Sequence, residues 1–383
     1  MTQENRLSQI IAERIRRQGR ITFEEYMRAA LYEPGLGYYT SPGRKVGAAG
    51  DFYTSINVHA AFGRLIAREI CRMWENLGSP TAFTVAEAGA GHGGLARDVL
   101  EGIERHAPEL YRGLTYVFVE IEPSLREVQA STIGRHAGRA AWRSPEEFGT
   151  PGFRFTGVLL SNELIDSFPV HLVQMTAEGL REVYVTLGEG DLAEELGTPS
   201  TPELQEYLDR LGVSLFQGQR AEINLAARRW LQNAAGSLQR GFVITIDYGY
   251  TAYDLFTPMR RTGTLLCYHR HQVVENPYLR PGEQDITTHI DFTTLMQRGE
   301  EAGLATVWFG EQYRFLLAAG LMEEMAVMEQ EASSEQERLK NRLLLKKLVL
   351  PDGGMGDTFK VLVQAKGVEK PQLLCMRDWG SDL

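Results

Sequence analysis

Residues 83–100 read F-T-V-A-E-A-G-A-G-H-G-G-L-A-R-D-V-L, and the fold turns on how this stretch is read. An apolar run carrying Phe83, Val85 and Ala86 ends in Gly89, Gly91, Gly93 and Gly94, after which Leu95, Ala96, Val99 and Leu100 recur at helical spacing. The pattern predicts a strand, a tight turn and a helix. Glycines in such a turn allow positive φ and remove the Cβ atoms that would hold a ligand away from the backbone. The helix start then offers free N–H groups to a polar ligand.

Further strands of the same kind follow at residues 115–121 (T-Y-V-F-V-E-I), 140–142, 155–163, 240–249 and 359–367, the last expected to close the sheet. Apolar strands alternating with helical patterns predict an α/β, Rossmann-like fold whose mostly parallel sheet is covered on both faces. In such sheets ligands sit at the carboxyl ends of the strands. Upstream, Leu7, Ile10, Ile11 and Ile15 line a first helix, and Thr22 with Glu25 forms a capping-box signal flanked by Ile21 and Tyr26 as a hydrophobic staple. Residues 58–77 predict a helix with one apolar face, and Asn224 is placed to cap another. Residues 171–187 suggest a hairpin, 188–202 an exposed acidic linker, and 316–350 a nearly continuous helical addition whose basic end packs with its lysines solvated.

These readings divide the chain into six segments. N-terminal helices and a glycine-rich cofactor lid take 1–80, and the first part of the core takes 81–187. An insertion is expected at 188–239, the second core part at 240–310, a helical addition at 311–357 and a closing strand and tail at 358–383.

Of the 383 residues 43% are hydrophobic, which suits a large buried core. No run approaches the roughly 18 apolar residues of a membrane span. The N-terminus lacks the apolar core of a signal peptide, and Glu4 and Glu13 argue against a transit peptide, so a cytoplasmic protein is the expectation. Three separated cysteines and eight histidines without metal-ligand spacing predict no metal site. The net charge of −10 argues against nucleic acid and favours a small-molecule or cationic partner.

Two ligand classes fit the glycine turn. Gly89, Gly91 and Gly94 match the dinucleotide pattern G-x-G-x-x-G, with Glu120 placed to bind a ribose. Glu87, Gly89, Gly91 and Gly93 also resemble the E-x-G-x-G-x-G pattern of class I methyltransferases, whose S-adenosylmethionine carries an ammonium that suits Glu87. Three polar groups sit where strand ends are expected. Asn162, Glu163 and Asp166 lie in S-N-E-L-I-D-S-F-P-V, Asp247 and Tyr248 in I-D-Y-G-Y, and Asp285, His289 and Asp291 in P-G-E-Q-D-I-T-T-H-I-D-F. Asp291 is equally well placed as the cap of a helix starting at Phe292.

Taken with G-D-F-Y-T-S at residues 50–55 and D-Y-G at 247–249, these motifs resemble the MidA family over roughly residues 21–303. The resemblance implies a class I methyltransferase that uses S-adenosyl-L-methionine, whose mitochondrial members methylate an arginine of a respiratory complex I subunit. It implies a cofactor site from Tyr53, Thr54, Ser55, Glu87, Gly89, Gly91, Gly93, Glu120, Trp142 and Asn162. Asn162, Glu163, Asp166, Asp285 and His289 become the catalytic candidates, and the partner a protein presenting an arginine. A small-molecule methyltransferase, a non-catalytic assembly factor with a vestigial nucleotide pocket and an NAD-dependent oxidoreductase are the competing readings. Where mitochondrial members carry two phenylalanines this chain has Leu164 and Ile165.

Overall fold

The computed structural model describes residues 6–41, 60–189, 191–270, 272–349 and 358–377. The chain forms two compact units. One gathers the described residues of Tyr53–Leu164, Trp230–Tyr248 and Met296–Leu383; the other gathers those of Met1–Phe52, Ile165–Arg229 and Gly249–Leu295. Because several stretches build each unit, the units do not follow the six consecutive segments expected from composition.

The first of these units is organised by a seven-stranded sheet. Its strands are β1 (Phe83–Ala88), β2 (Leu114–Val119), β3 (Ala140–Arg143), β4 (Phe155–Asn162), β5 (Leu238–Tyr250), β6 (Ala305–Glu311) and β7 (Phe359–Lys366). They lie in the order β3-β2-β1-β4-β5-β7-β6. The first five pair in parallel, and β7 runs antiparallel to both neighbours. Burial on both faces explains why β1, β4 and β5 read as near-continuous apolar runs. Consecutive strands step outward from β1 to β3, and then the chain returns to the other side of β1 with β4. That reversal is the switch point at which open α/β sheets bind ligands.

The expected closing strand is β7, but it does not close the sheet: it enters between β5 and the edge strand β6. The partial burial of β6 gives it no continuous apolar signature. Expected helical segments are present with shifted bounds. The 58–77 helix runs Ala61–Asn76, and Val58 and His59 lie outside the described residues. The helix after β2 runs Leu125–Ile133. The 316–350 addition is three helices, Gln312–Ala318, Leu321–Glu331 and Glu335–Val349. Gly320, at φ +98°, breaks the first from the second. Leu345 of the last packs into the sheet's core while Lys346 stays exposed.

In the other unit the Arg6–Gln18 helix buries Leu7, Ile11 and Ile15. The capping box forms as predicted: the Glu25 N–H donates to Thr22 Oγ1 at 3.1 Å and the Thr22 N–H to Glu25 Oε2 at 2.8 Å. Ile21 and Tyr26 share the same buried cluster. A five-stranded antiparallel sheet contains the predicted hairpin, His171–Thr176 with Gly179–Leu187, flanked by Ile21–Thr22, Arg220–Ile223 and Leu192–Gly197. The last of these strands corrects the linker expected at 188–202. Its acidic residues Glu194 and Glu195 pair with Arg220 and Arg20 across the sheet. Exposed ion pairs of this kind suit a sheet edge, so composition alone misread it. Asn224 Oδ1 accepts the Ala227 N–H at 3.0 Å, capping the helix as expected.

Candidate functional site

The cofactor half of the site is built at the switch point from the ends of β1, β2, β3 and β4. After β1 the backbone is left-handed at Gly89, Gly91 and Gly93, with φ of +71°, +51° and +83°. Among the described residues a Cβ on Gly91 would meet nothing within 4 Å, so there the turn leaves its backbone uncovered. A Cβ on Gly89 would come within 2.8 Å of Leu164 Cδ1. Gly93 is the N-cap of the Gly94–His106 helix, and no side chain caps it. This is the backbone cradle that the glycine pattern predicted.

Two acids flank the turn. Glu87, on β1, is 1% exposed and accepts the Tyr116 hydroxyl at 2.7 Å. Burial pushes its carboxyl up to about 7, opposed by the Tyr116 bond and reinforced by the charge of Glu120. Glu120 follows β2 directly. Its Oε1 accepts the Glu122 N–H at 3.2 Å and its Oε2 the Gln129 amide at 3.0 Å. Burial raises this carboxyl too, against those bonds. On β3, the Trp142 ring stacks on Phe118, with centroids 5.5 Å apart, and its Nε1–H donates to Gln129 Oε1 at 2.8 Å. Gln129 also donates to the Gly91 carbonyl at 2.9 Å. No motif marks this residue, which lies on the short helix after β2.

At the end of β4, Asn162 Nδ2 donates to Glu163 Oε1 at 3.1 Å, while the buried Asn162 Oδ1 has no partner among the described residues. Glu163 holds a left-handed backbone at φ +52°, uncommon for a residue with a side chain. Its N–H donates to the Ile246 carbonyl at 2.9 Å, and the Tyr248 hydroxyl lies 3.5 Å from its Oε2. Asp247 steadies the same corner by accepting the N–H groups of Leu164 at 3.3 Å and Tyr248 at 2.8 Å. Glu87, the glycines, Glu120, Trp142, Asn162 and Glu163 thus belong to one unit. Tyr53, Thr54 and Ser55 lie outside the described residues.

The other candidates belong to the second unit. The boundary falls between Leu164 and Ile165, inside the N-E-L-I-D-S-F-P motif. Asp166 is buried, and its carbonyl accepts the Thr288 N–H at 3.0 Å. Asp285 lies in a three-stranded sheet of this unit and not at the end of a strand of the seven-stranded sheet. It accepts the Tyr39 hydroxyl at 2.8 and 3.0 Å and the Ile286 N–H at 2.9 Å. Tyr39 stacks on Tyr32 with centroids 5.5 Å apart, an aromatic pair sequence reasoning did not single out. Its hydroxyl is pushed well up, first by burial and then by the charges of Asp285 and Asp166 among its neighbours. The His289 imidazole is pushed down to about 4 by burial and Arg260, and is therefore neutral at pH 7. Asp291 is a helix cap: it accepts the Thr293 N–H at 2.9 Å, the Thr294 hydroxyl at 2.6 Å and the Tyr207 hydroxyl at 2.9 Å. Among the described residues no helix is long and apolar enough to cross a membrane, and no cluster of His, Cys, Asp or Glu could hold a metal.

A doubly wound sheet with a glycine turn after its first strand, an acid near the end of that strand and another just after the second fits the class I methyltransferase fold. The chain belongs to the MidA-like family of S-adenosyl-L-methionine-dependent methyltransferases, whose family model matches residues 65–310. It is similar to a protein from Burkholderia thailandensis solved with S-adenosyl-homocysteine bound, at 30% identity and a TM-score of 0.86, over 96% of this chain and 94% of that one. It is 28% identical over 348 residues to the human protein named "Protein arginine methyltransferase NDUFAF7, mitochondrial", covering 82% of this chain and 73% of the relative. The Drosophila melanogaster homologue is 28% identical over 314 residues, covering 74% and 68% respectively. S-adenosyl-L-methionine is the cofactor, and the open cradle at Gly91 with its flanking acids fits it. The expectation of a cytoplasmic protein is corrected, since these curated relatives are named as mitochondrial.

Proposed function

We propose that the chain methylates an arginine side chain of a partner protein. The observation that carries this reading is Glu163, set on strained backbone beside the cofactor turn with one oxygen held by Asn162 and the other near the Tyr248 hydroxyl. Strain of this kind persists where surrounding structure fixes a functional group. The names of the curated relatives support the same substrate class.

When bound, S-adenosyl-L-methionine supplies an electrophilic methyl group on a sulfonium. The chain's work is to present a nucleophilic nitrogen in line with it. A guanidinium in water keeps its proton far above neutral pH. Glu163 orients the cation, offsets its desolvation and takes up the proton released on methylation. The buried Asn162 Oδ1 can accept a further N–H from the guanidinium. Asp166, Asp285 and His289 are the alternatives that the family resemblance implies. On the cofactor side Glu87 takes the ammonium, the glycine turn the amino-acid backbone and Glu120 the ribose hydroxyls.

The test is to incubate the enzyme and labelled S-adenosyl-L-methionine with lysate from a deletion strain and to map the modified residue by mass spectrometry. A respiratory-complex subunit is the acceptor that the family resemblance puts first. Glu163→Gln should lower turnover on the order of 100-fold, the scale for losing a positioned electrostatic group, with cofactor affinity nearly unchanged. Label on lysine, nucleic acid or a metabolite would overturn the arginine assignment, and full activity of the Gln variant would move the role to Asp285 or His289.

A further inference from the structure

A primary amide has two N–H donors and one carbonyl acceptor, and at Gln129 every one of them is engaged. Its Nε2 donates to the Gly91 carbonyl at 2.9 Å and to Glu120 Oε2 at 3.0 Å, while its Oε1 accepts the Trp142 Nε1–H at 2.8 Å. The residue is fully buried and sits on the Leu125–Ile133 helix. Its three partners lie on three other pieces of the sheet's ligand edge: the turn after β1, the end of β2, and β3. The partners also fix which way the amide faces. Reversal would set its oxygen against the Gly91 carbonyl and a carboxylate, and its N–H groups against the indole N–H.

We infer that Gln129 is the positioning residue of the nucleoside half of the cofactor site, locking the glycine turn, the Glu120 carboxylate and the Trp142 ring in their binding arrangement. With Glu122 holding the other oxygen, the carboxylate cannot swing, and it keeps acceptor capacity for a ribose. Because the indole N–H is engaged by Gln129, Trp142 offers a ligand its ring and not a donor. Removing the amide would leave the half-buried Gly91 carbonyl and an indole N–H without this partner and let Glu120 move. The inference rests on Glu120 binding the ribose. It does not depend on the identity of the methyl acceptor.

Calorimetric titration of the full chain tests it, with two probes: S-adenosyl-homocysteine, and 5′-methylthioadenosine, which keeps adenine and ribose but lacks the amino-acid part. Gln129→Leu should weaken both by about thirtyfold, the scale of losing a hydrogen bond to a charged group. Gln129→Glu keeps the shape and the acceptor for Trp142 but sets a second carboxyl beside Glu120. Relative to wild type at the same pH, its affinities should fall at pH 8 and recover at pH 6, where one of the two carboxyls takes a proton. A side chain needed only for packing would tolerate that isosteric exchange with no such pH recovery. Thermal melts establish that each variant is folded, and the Glu variant carries the test if the Leu variant is not. Wild-type affinity in a folded Gln129→Leu, loss confined to S-adenosyl-homocysteine, or a Glu variant whose affinities relative to wild type do not change with pH would overturn the inference. Glu120→Gln separates the two assignments. If it leaves both affinities unchanged, the ribose assignment has failed; if it weakens them while Gln129→Leu does not, only the role of Gln129 has.

Discussion

Glu87 ties cofactor affinity to pH in a direction that can be worked out in advance. Its carboxyl titrates at about 7 because it is buried, with the Tyr116 hydroxyl as a counteracting donor and Glu120 as a nearby like charge. An ammonium ligand needs the carboxylate. The ionised fraction rises from about one-tenth at pH 6 to about nine-tenths at pH 8, so affinity for S-adenosyl-homocysteine should rise about ninefold, a little over 1 kcal/mol. Stability of the ligand-free protein should move the opposite way. The unfolded chain releases this proton near 4.5 and the folded chain near 7. Folding therefore retains a proton in that window, and the contribution present below it is lost as pH rises through about 7, on the order of 3 kcal/mol. The assay is calorimetric titration at several pH values, with Glu87→Gln as the reference that subtracts the ligand's own titration. Affinity that stays flat in the wild type, or a wild-type pH dependence no larger than that of Glu87→Gln, would refute the reasoning.

Gly91→Val should abolish cofactor binding while circular dichroism and the melting temperature show a folded protein, because the new side chain enters the open cradle at positive φ. Glu120→Ala should weaken S-adenosyl-homocysteine by roughly 1–3 kcal/mol in the same titration, and unchanged affinity would remove it from the ribose site. Thr22→Ala should cost about 1 kcal/mol in urea unfolding by deleting a capping box, with no effect on cofactor affinity.

Much of this architecture was legible in the chain because two-sided burial writes itself into apolar runs such as F-T-V-A-E-A and F-T-G-V-L-L-S-N. Gly91 and Gly93 were legible for a different reason, since few other residues accept their backbone angles. Legibility ended where a residue's role comes from tertiary partners. Gln129 looks like any polar helical residue, and only the fold brings Gly91, Glu120 and Trp142 to its amide. Leu192–Gly197 hid its strand character because arginines elsewhere in the chain neutralise its acids. Asp291 showed the limit of reading acids as chemistry: its oxygens are occupied in capping a helix.

The steric surroundings of Gly89 and Gly91 give the glycine motif a divided ancestry. Position 91 is kept small for a visitor, since none of the described residues occupies the space beside it; position 89 is kept small for a resident, since the Leu164 methyl already fills that space. Selection on the first acts through catalysis and on the second through packing. Homologues that lose the reaction should therefore let position 91 drift first, while 89 and 164 go on changing only as a pair.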